Sequence, residues 1–448
     1  MRRGSVHVIT GFYSKALDSI RTLRVYLPPQ YETSQERYPV VYLHDGQWIF
    51  SEKGKKRWDV DLTADDLIRT GYIPPVILVG IDCNEKDRRR EMTHTTPPPF
   101  RKMGRRGYIP CYAFEGEGLG FSYEAFLADE VKPYIDSHFR TKPEKENTML
   151  AGSSMGGIVT LCMGMNRHDI YGMLGLISPA IHWLSDEFYN SIKNYGQKIW
   201  LDCGMAEAYY VDNTRELYRI FAGIGYRQGV DLNYLAQPDA VYTEQYFGQR
   251  FRMILLWMLG EKTKPKAAAV QGRNTVSVNG YPAVLNTVLV YENGIMSSDM
   301  NASYEVEPEG ILEIDPAGEI KAVHPGEAVI TYKNGDLVVN KQVTAVNSLS
   351  GSVLLNISVE VPEDTPEEDP VVYHFFRDQY CVLKRKSRNV FTGSIGVPRD
   401  WEFYGHFGRC AENRDIKKEC TKGGGEVNRF VRVCESQSLY YVVEKWKE

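Results

Sequence analysis

Gly152-Ser153-Ser154-Met155-Gly156 fits the pattern G-x-S-x-G. It lies directly after the apolar run Thr148 to Ala151 and just before Ile158 to Met165, a stretch of helical character. A strand, a sharp turn and a helix in that order hold a serine oxygen exposed above a sheet, where it serves as a nucleophile for acyl transfer. The flanking glycines leave the turn free of side chains, and the start of a helix adds positive potential at the serine. Acyl transfer also needs donors for an oxyanion. His44-Asp45-Gly46-Gln47 follows an apolar run ending at Leu43, and in such folds the loop after that strand aims a backbone N–H at the nucleophile. Gln47 and Met155 are therefore the expected oxyanion donors.

A sheet with helices on both faces must position these groups. Between Val6 and Glu261 short β-branched runs alternate with helical patterns, which predicts an α/β fold of the doubly wound, mainly parallel kind. Strands are expected at Thr22 to Leu27, Pro39 to Leu43, Val76 to Asp82, Thr148 to Ala151, Met173 to Ser178, Lys198 to Cys203 and Val230 to Ala236. A chain of 448 residues exceeds what one core supports, so further domains must follow. After Trp257-Met258-Leu259-Gly260 the texture changes. The first domain is expected to span residues 1–262, with 263–269 a linker and two all-β sandwich domains at 270–347 and 350–448. Turn signals such as Asn279-Gly280, Asn293-Gly294, Ala317-Gly318 and Asn334-Gly335 support hairpins there.

Composition narrows the partners. With 53 basic and 58 acidic residues the net charge is −5, which argues against nucleic acid or an anionic membrane as a general partner and leaves small molecules and carbohydrates. The eight cysteines show no C-x-x-C pair, and no Cys/His cluster has metal-ligand spacing, so neither a metal nor another cofactor is expected. The basic start runs into an alternating, strand-like stretch and no apolar run reaches 18 residues, so the chain as written reads as cytoplasmic. A secreted form that had lost its leader would read the same.

Several motifs together resemble the putative-esterase family of α/β-hydrolases, the group holding esterase D, feruloyl and acetylxylan esterases, and enterochelin esterases. They are Arg24 to Pro29, Tyr38 to Gln47, Trp58-Asp59-Val60-Asp61, Val79-Gly80-Ile81-Asp82, Arg88 with Glu91, and Ala151 to Gly157. The resemblance implies a Ser-His-acid triad. Its acid falls in a D-x-G-x-x-[DE] pattern, here Asp202-Cys203-Gly204-Met205-Ala206-Glu207, which points to Glu207, with Asp202 the weaker candidate. Its histidine should open a segment like H-x-E-x-x-W-x-x-R. Glu244, Phe247 and Arg250 keep that register, and Tyr242 stands where the histidine belongs.

None of the nine histidines lies between Glu207 and the end of the first domain. A phenol with a pKa of about 10 stays protonated at neutral pH and does not accept the serine proton as imidazole does. Loss of the histidine from a serine-protease triad costs about 10⁶-fold in turnover, although oxyanion site and binding still give about 10³ over water. His182, after Ser178-Pro179-Ala180-Ile181, and His94, after Arg88 to Glu91, are the candidates for a relocated base.

Residues 270–347 resemble a bacterial Ig-like domain of group 2, on Ile311 to Ala322 and Pro325 to Tyr332. Residues 350–448 resemble a starch-binding type of carbohydrate-binding module, on Val359 to Glu363, Trp401 to Tyr404, Glu426 to Arg429 and Val443 to Trp446. Flat aromatic faces bind sugars, which nominates Trp401, Tyr404 and Trp446. Two functions follow as expectations: a serine hydrolase of acyl esters, carbohydrate-linked ones among them, with hydrolysis weakened or lost at Tyr242; or a pseudo-esterase that binds a carbohydrate or acyl-carbohydrate ligand without turnover.

Overall fold

The computed structural model describes residues 3–447 apart from 56, 96–99, 103–107, 111–116, 208–209, 279–282, 348–351, 376–378, 399–401, 411–415, 424–426, 428 and 434. The first unit is a sheet of eight strands: β1 (Ser5–Ser14), β2 (Ser19–Leu27), β3 (Val40–His44), β4 (Ile77–Ile81), β5 (Thr148–Ser153), β6 (Met173–Ile177), β7 (Lys198–Gly204) and β8 (Leu232–Gln237). Their spatial order is β1-β2-β4-β3-β5-β6-β7-β8. Strands β3 to β8 run parallel to one another; β2 pairs antiparallel with β4 and β1 antiparallel with β2, closing one side. The order reverses at β3 and β4, and the loops after the parallel strands gather at their carboxyl ends, where such sheets place sites.

Burial explains why the central strands read as unbroken apolar runs. All five residues of β3, β4 and β6 are buried, as expected of strands covered on both faces. Alternate residues serve two cores: Val40 and Tyr42 pack in one, Val41 and Leu43 in the other. The helix that begins after Ser154, Met155–Asn166, is buried along nearly its whole length. The last helix of the unit, Glu244–Leu259, covers the opposite core with Phe247, Phe251, Ile254 and Leu255. Among the described residues no helix is long and apolar enough to cross a membrane.

Beyond residue 260 every element of the described residues is a strand. The stretch expected as a linker is in part strand: Pro265–Gln271 pairs antiparallel with Asn286–Tyr291. The alanines and valine of Lys266-Ala267-Ala268-Ala269-Val270 supply backbone donors to a ladder, and the lysines beside them suit an exposed strand as well as a tether. This second unit docks on the edge of the first sheet, with Val288 and Ile295 inside the core that holds Trp200, Leu235 and Met253. A third all-β unit follows from Ser352, with a core of its own around Leu355, Ile357, Tyr373 and Phe407.

Candidate active site

Ser154 sits between β5 and its helix with φ 57° and ψ −118°, a left-handed backbone that a non-glycine residue adopts only under tertiary constraint. That constraint is visible: the Ser154 N–H donates to the Ile177 carbonyl at 3.0 Å, and the Ser154 carbonyl accepts from Ala180 at 3.0 Å and Gly157 at 3.1 Å. The turn is also tight. A β-carbon on Gly152 would stand 2.8 Å from the Gly156 carbonyl oxygen and 2.8 Å from the His44 ring, which is why glycine is required there.

The two expected oxyanion donors stand at the starts of helices, Gln47 in the short helix Gly46–Ile49 and Met155 in Met155–Asn166. Among the described residues neither backbone N–H has a hydrogen-bond partner, as befits first-turn amides. The Gln47 side chain faces elsewhere: it accepts from the Cys83 N–H at 3.0 Å and donates to the Cys83 sulfur at 2.8 Å. Burial pushes that thiol up to about 12, so it stays protonated. Asp45, also left-handed at φ 60°, is held by both arms of Arg88 at 2.7 Å each. His44 is buried with its Nδ1 2.9 Å from the Tyr123 hydroxyl, and burial lowers its pKa to about 4, leaving it neutral. These contacts fix the loop that carries the Gln47 amide.

On the other side of the cleft the arrangement differs. Glu207 is buried, and both of its carboxylate oxygens are occupied: Ser178 Oγ donates to one at 2.5 Å and Arg250 Nη2 to the other at 2.9 Å. Arg250 is fully buried in the last helix and also lies 3.1 Å from Asp202, whose second oxygen accepts from Trp200 Nε1 at 2.7 Å. Burial raises the Asp202 carboxyl to about 6, with Arg250 acting against the rise. Tyr242, expected at the base position, is a half-buried ring. It lies 5.2 Å from Tyr210 and meets Phe247 edge-on at 4.9 Å. Glu244 accepts from Trp58 Nε1, anchoring the start of the helix.

The relocated bases fare differently. The backbone of His182 lies in the turn Ile181–Trp183, but its side chain falls outside the described residues. His94 is corrected: its Nε2 sits 3.0 Å from Glu124, which also accepts from Asn166 at 2.9 Å. Asn166 ends the helix that Ser154 begins, about 18 Å along at 1.5 Å per residue. Among the described residues the Ser154 hydroxyl has no hydrogen-bond partner, so His94 does not serve it. Against one face of that helix a small apolar cavity of about 70 Å³ is lined by His94, Phe121, Ile158, Cys162, Trp183 and Phe188.

Among the described residues no group of three His, Cys, Asp or Glu side chains is arranged to hold a metal ion. In the third unit, Trp446 is corrected as a sugar platform. It is 7% exposed, packed in the core, with its Nε1 donating to Thr365 Oγ1 at 2.8 Å. Trp401 and the side chain of Tyr404 lie outside the described residues. Sequence reasoning missed Ser178 and Arg250 as partners of Glu207, although an arginine in the otherwise apolar run Phe247 to Leu259 was a signal.

Residues 14–217 match the model of the putative esterase family. Over 190 residues the chain is 34% identical to an endo-1,4-β-xylanase/feruloyl esterase of Xylanibacter ruminicola, covering 41% of this chain and 22% of that protein. The ferri-bacillibactin esterase BesA of Bacillus subtilis is 28% identical over 208 residues, 43% of this chain and 69% of its own. Among solved structures, a ferulic acid esterase of Anaeromyces mucronatus aligns at TM-score 0.43 and 21% identity, over 58% of this chain and 91% of that one. The BES protein of Bacillus cereus aligns at TM-score 0.44 and 16% identity, over 58% and 96%.

Proposed function

We propose that the Ser154 cleft takes an acyl ester, carried by a small alcohol or a sugar, and hydrolyses it weakly. The Gln47 and Met155 amides receive the carbonyl oxygen, and Ser154 Oγ attacks the carbonyl carbon. The observation that carries the reading is the occupancy of Glu207: its carboxylate is satisfied by Ser178 and Arg250, while the Tyr242 ring packs against Tyr210 and Phe247. Among the described residues no imidazole is hydrogen-bonded to Glu207 or Ser154; in this reading the serine proton passes to water and the attack is slow. The ring packing of Tyr242 against Tyr210 and Phe247 favours a second reading, a pseudo-esterase that holds the same ligand without turnover.

For the β units, the patterns at 311–322 and 325–332 support an Ig-like module, and those of 350–448 a starch-binding-like one. Burial of Trp446 removes it from any sugar contact.

Hydrolysis of p-nitrophenyl acetate by the native protein, Ser154→Ala and Tyr242→His separates the readings. Weak native turnover that Ser154→Ala abolishes, with a gain in Tyr242→His, is the expected result. Native turnover equal to Ser154→Ala leaves the binding reading. Strong native turnover overturns both and makes His182 the next residue to replace.

A further inference from the structure

One edge of the first sheet is β8, and the second unit supplies hydrogen-bond partners to it. The Ala236 N–H donates to Ser298 Oγ at 3.0 Å, and the Ala236 carbonyl accepts from Asn286 Nδ2 at 2.9 Å, both buried. Ser297 Oγ adds a bond to Asn233 at 2.8 Å. Without these side chains a row of unpaired edge groups would lie open.

The same contact reaches the cleft. Asn286 Nδ2 also lies 3.2 Å from the sulfur of Met205, in the loop that leads to Glu207. That loop hangs from the end of β8: the Met205 N–H donates to Gln237 at 2.9 Å and the Ala206 N–H to Ala240 at 3.1 Å. On the far side of the loop, Arg215 of the helix Tyr210–Gly223 donates to the carbonyls of Ala317 at 2.7 Å and Leu285 at 3.3 Å. The second unit therefore grips the strand before Tyr242 and the helix after Glu207, with one carboxamide touching strand and loop together.

We infer that residues 265–346 are a fixed brace for the Glu207 loop, with Asn286 as its positioning residue. This unit is a structural part of the cleft and not a tethered spacer.

Hydrogen exchange on the full chain tests it, comparing native protein with Asn286→Ala and the milder Ser298→Ala. Asn286→Ala should speed exchange of the Met205 and Ala206 amides by about tenfold, the effect of losing a buried hydrogen bond, with Leu150 and Ala151 of β5 unchanged. Ser298→Ala should speed Ala236 and, by a few fold, Met205 and Ala206. Unchanged loop exchange in both variants overturns the brace. So does a uniform rise that includes β5, which would report general loss of stability. Should Asn286→Ala fail to fold, the Ser298→Ala result decides alone.

Discussion

Around Ser154 the protein keeps strain and, among the described residues, a hydroxyl and two helix-start amides without hydrogen-bond partners; at Glu207 both carboxylate oxygens have found partners inside the protein. The first corner holds its groups ready for something from outside, at a cost of about 1–3 kcal/mol for the backbone of Ser154. The second spends a carboxylate, a serine and an arginine on one another.

The contrast can be broken at its strongest point first. Replacing Arg250 by Met leaves Asp202 and Glu207 buried without their cation, and should cost about 3–5 kcal/mol in urea unfolding. A loss below about 1 kcal/mol would show that the cluster is not the anchor described here.

The next effect is in pH. Burial holds Asp202 near 6 in the folded protein against an ordinary value of 3.8, so the native state keeps its proton longer than the unfolded chain. Its contribution to stability is present below pH 4 and falls as pH rises to 6. Asp202→Asn should therefore gain on the native protein by roughly 1–3 kcal/mol between those limits. Parallel pH profiles for the two proteins would show the opposite.

The smallest effect sharpens the other corner. Glycine adopts φ 57° without strain, so Ser154→Gly should be more stable than the native protein by about 1 kcal/mol, after allowing for the extra freedom of the unfolded chain. A clear loss of stability would mean that the nucleophile turn is relaxed as it stands.

Much of this was readable in sequence because it is local. The strand, turn and helix around Ser154 fall within some twenty residues, and the parallel strands announce themselves as apolar runs because both faces are covered. Tyr242 was readable for the same reason, since Glu244, Phe247 and Arg250 fix its register. What escaped was partnership over distance. Ser178, Glu207 and Arg250 meet only in the fold, so the occupancy of the carboxylate left no mark in any one segment. The strand at Pro265–Gln271 escaped because lysine and proline mark edge strands as well as tethers. Trp446 escaped because an aromatic near a strand end looks alike from either side of a sheet.

The docking of the second unit on β8 bears on how such a chain is inherited. Units joined by a loose tether can be shuffled between genes, each arriving complete. Here a crossover near residue 262 would deliver the first unit with a bare strand and an apolar socket where Val288 and Ile295 belong. The two units must travel together, and substitutions at Asn286 or Ser298 in one answer to selection on the other.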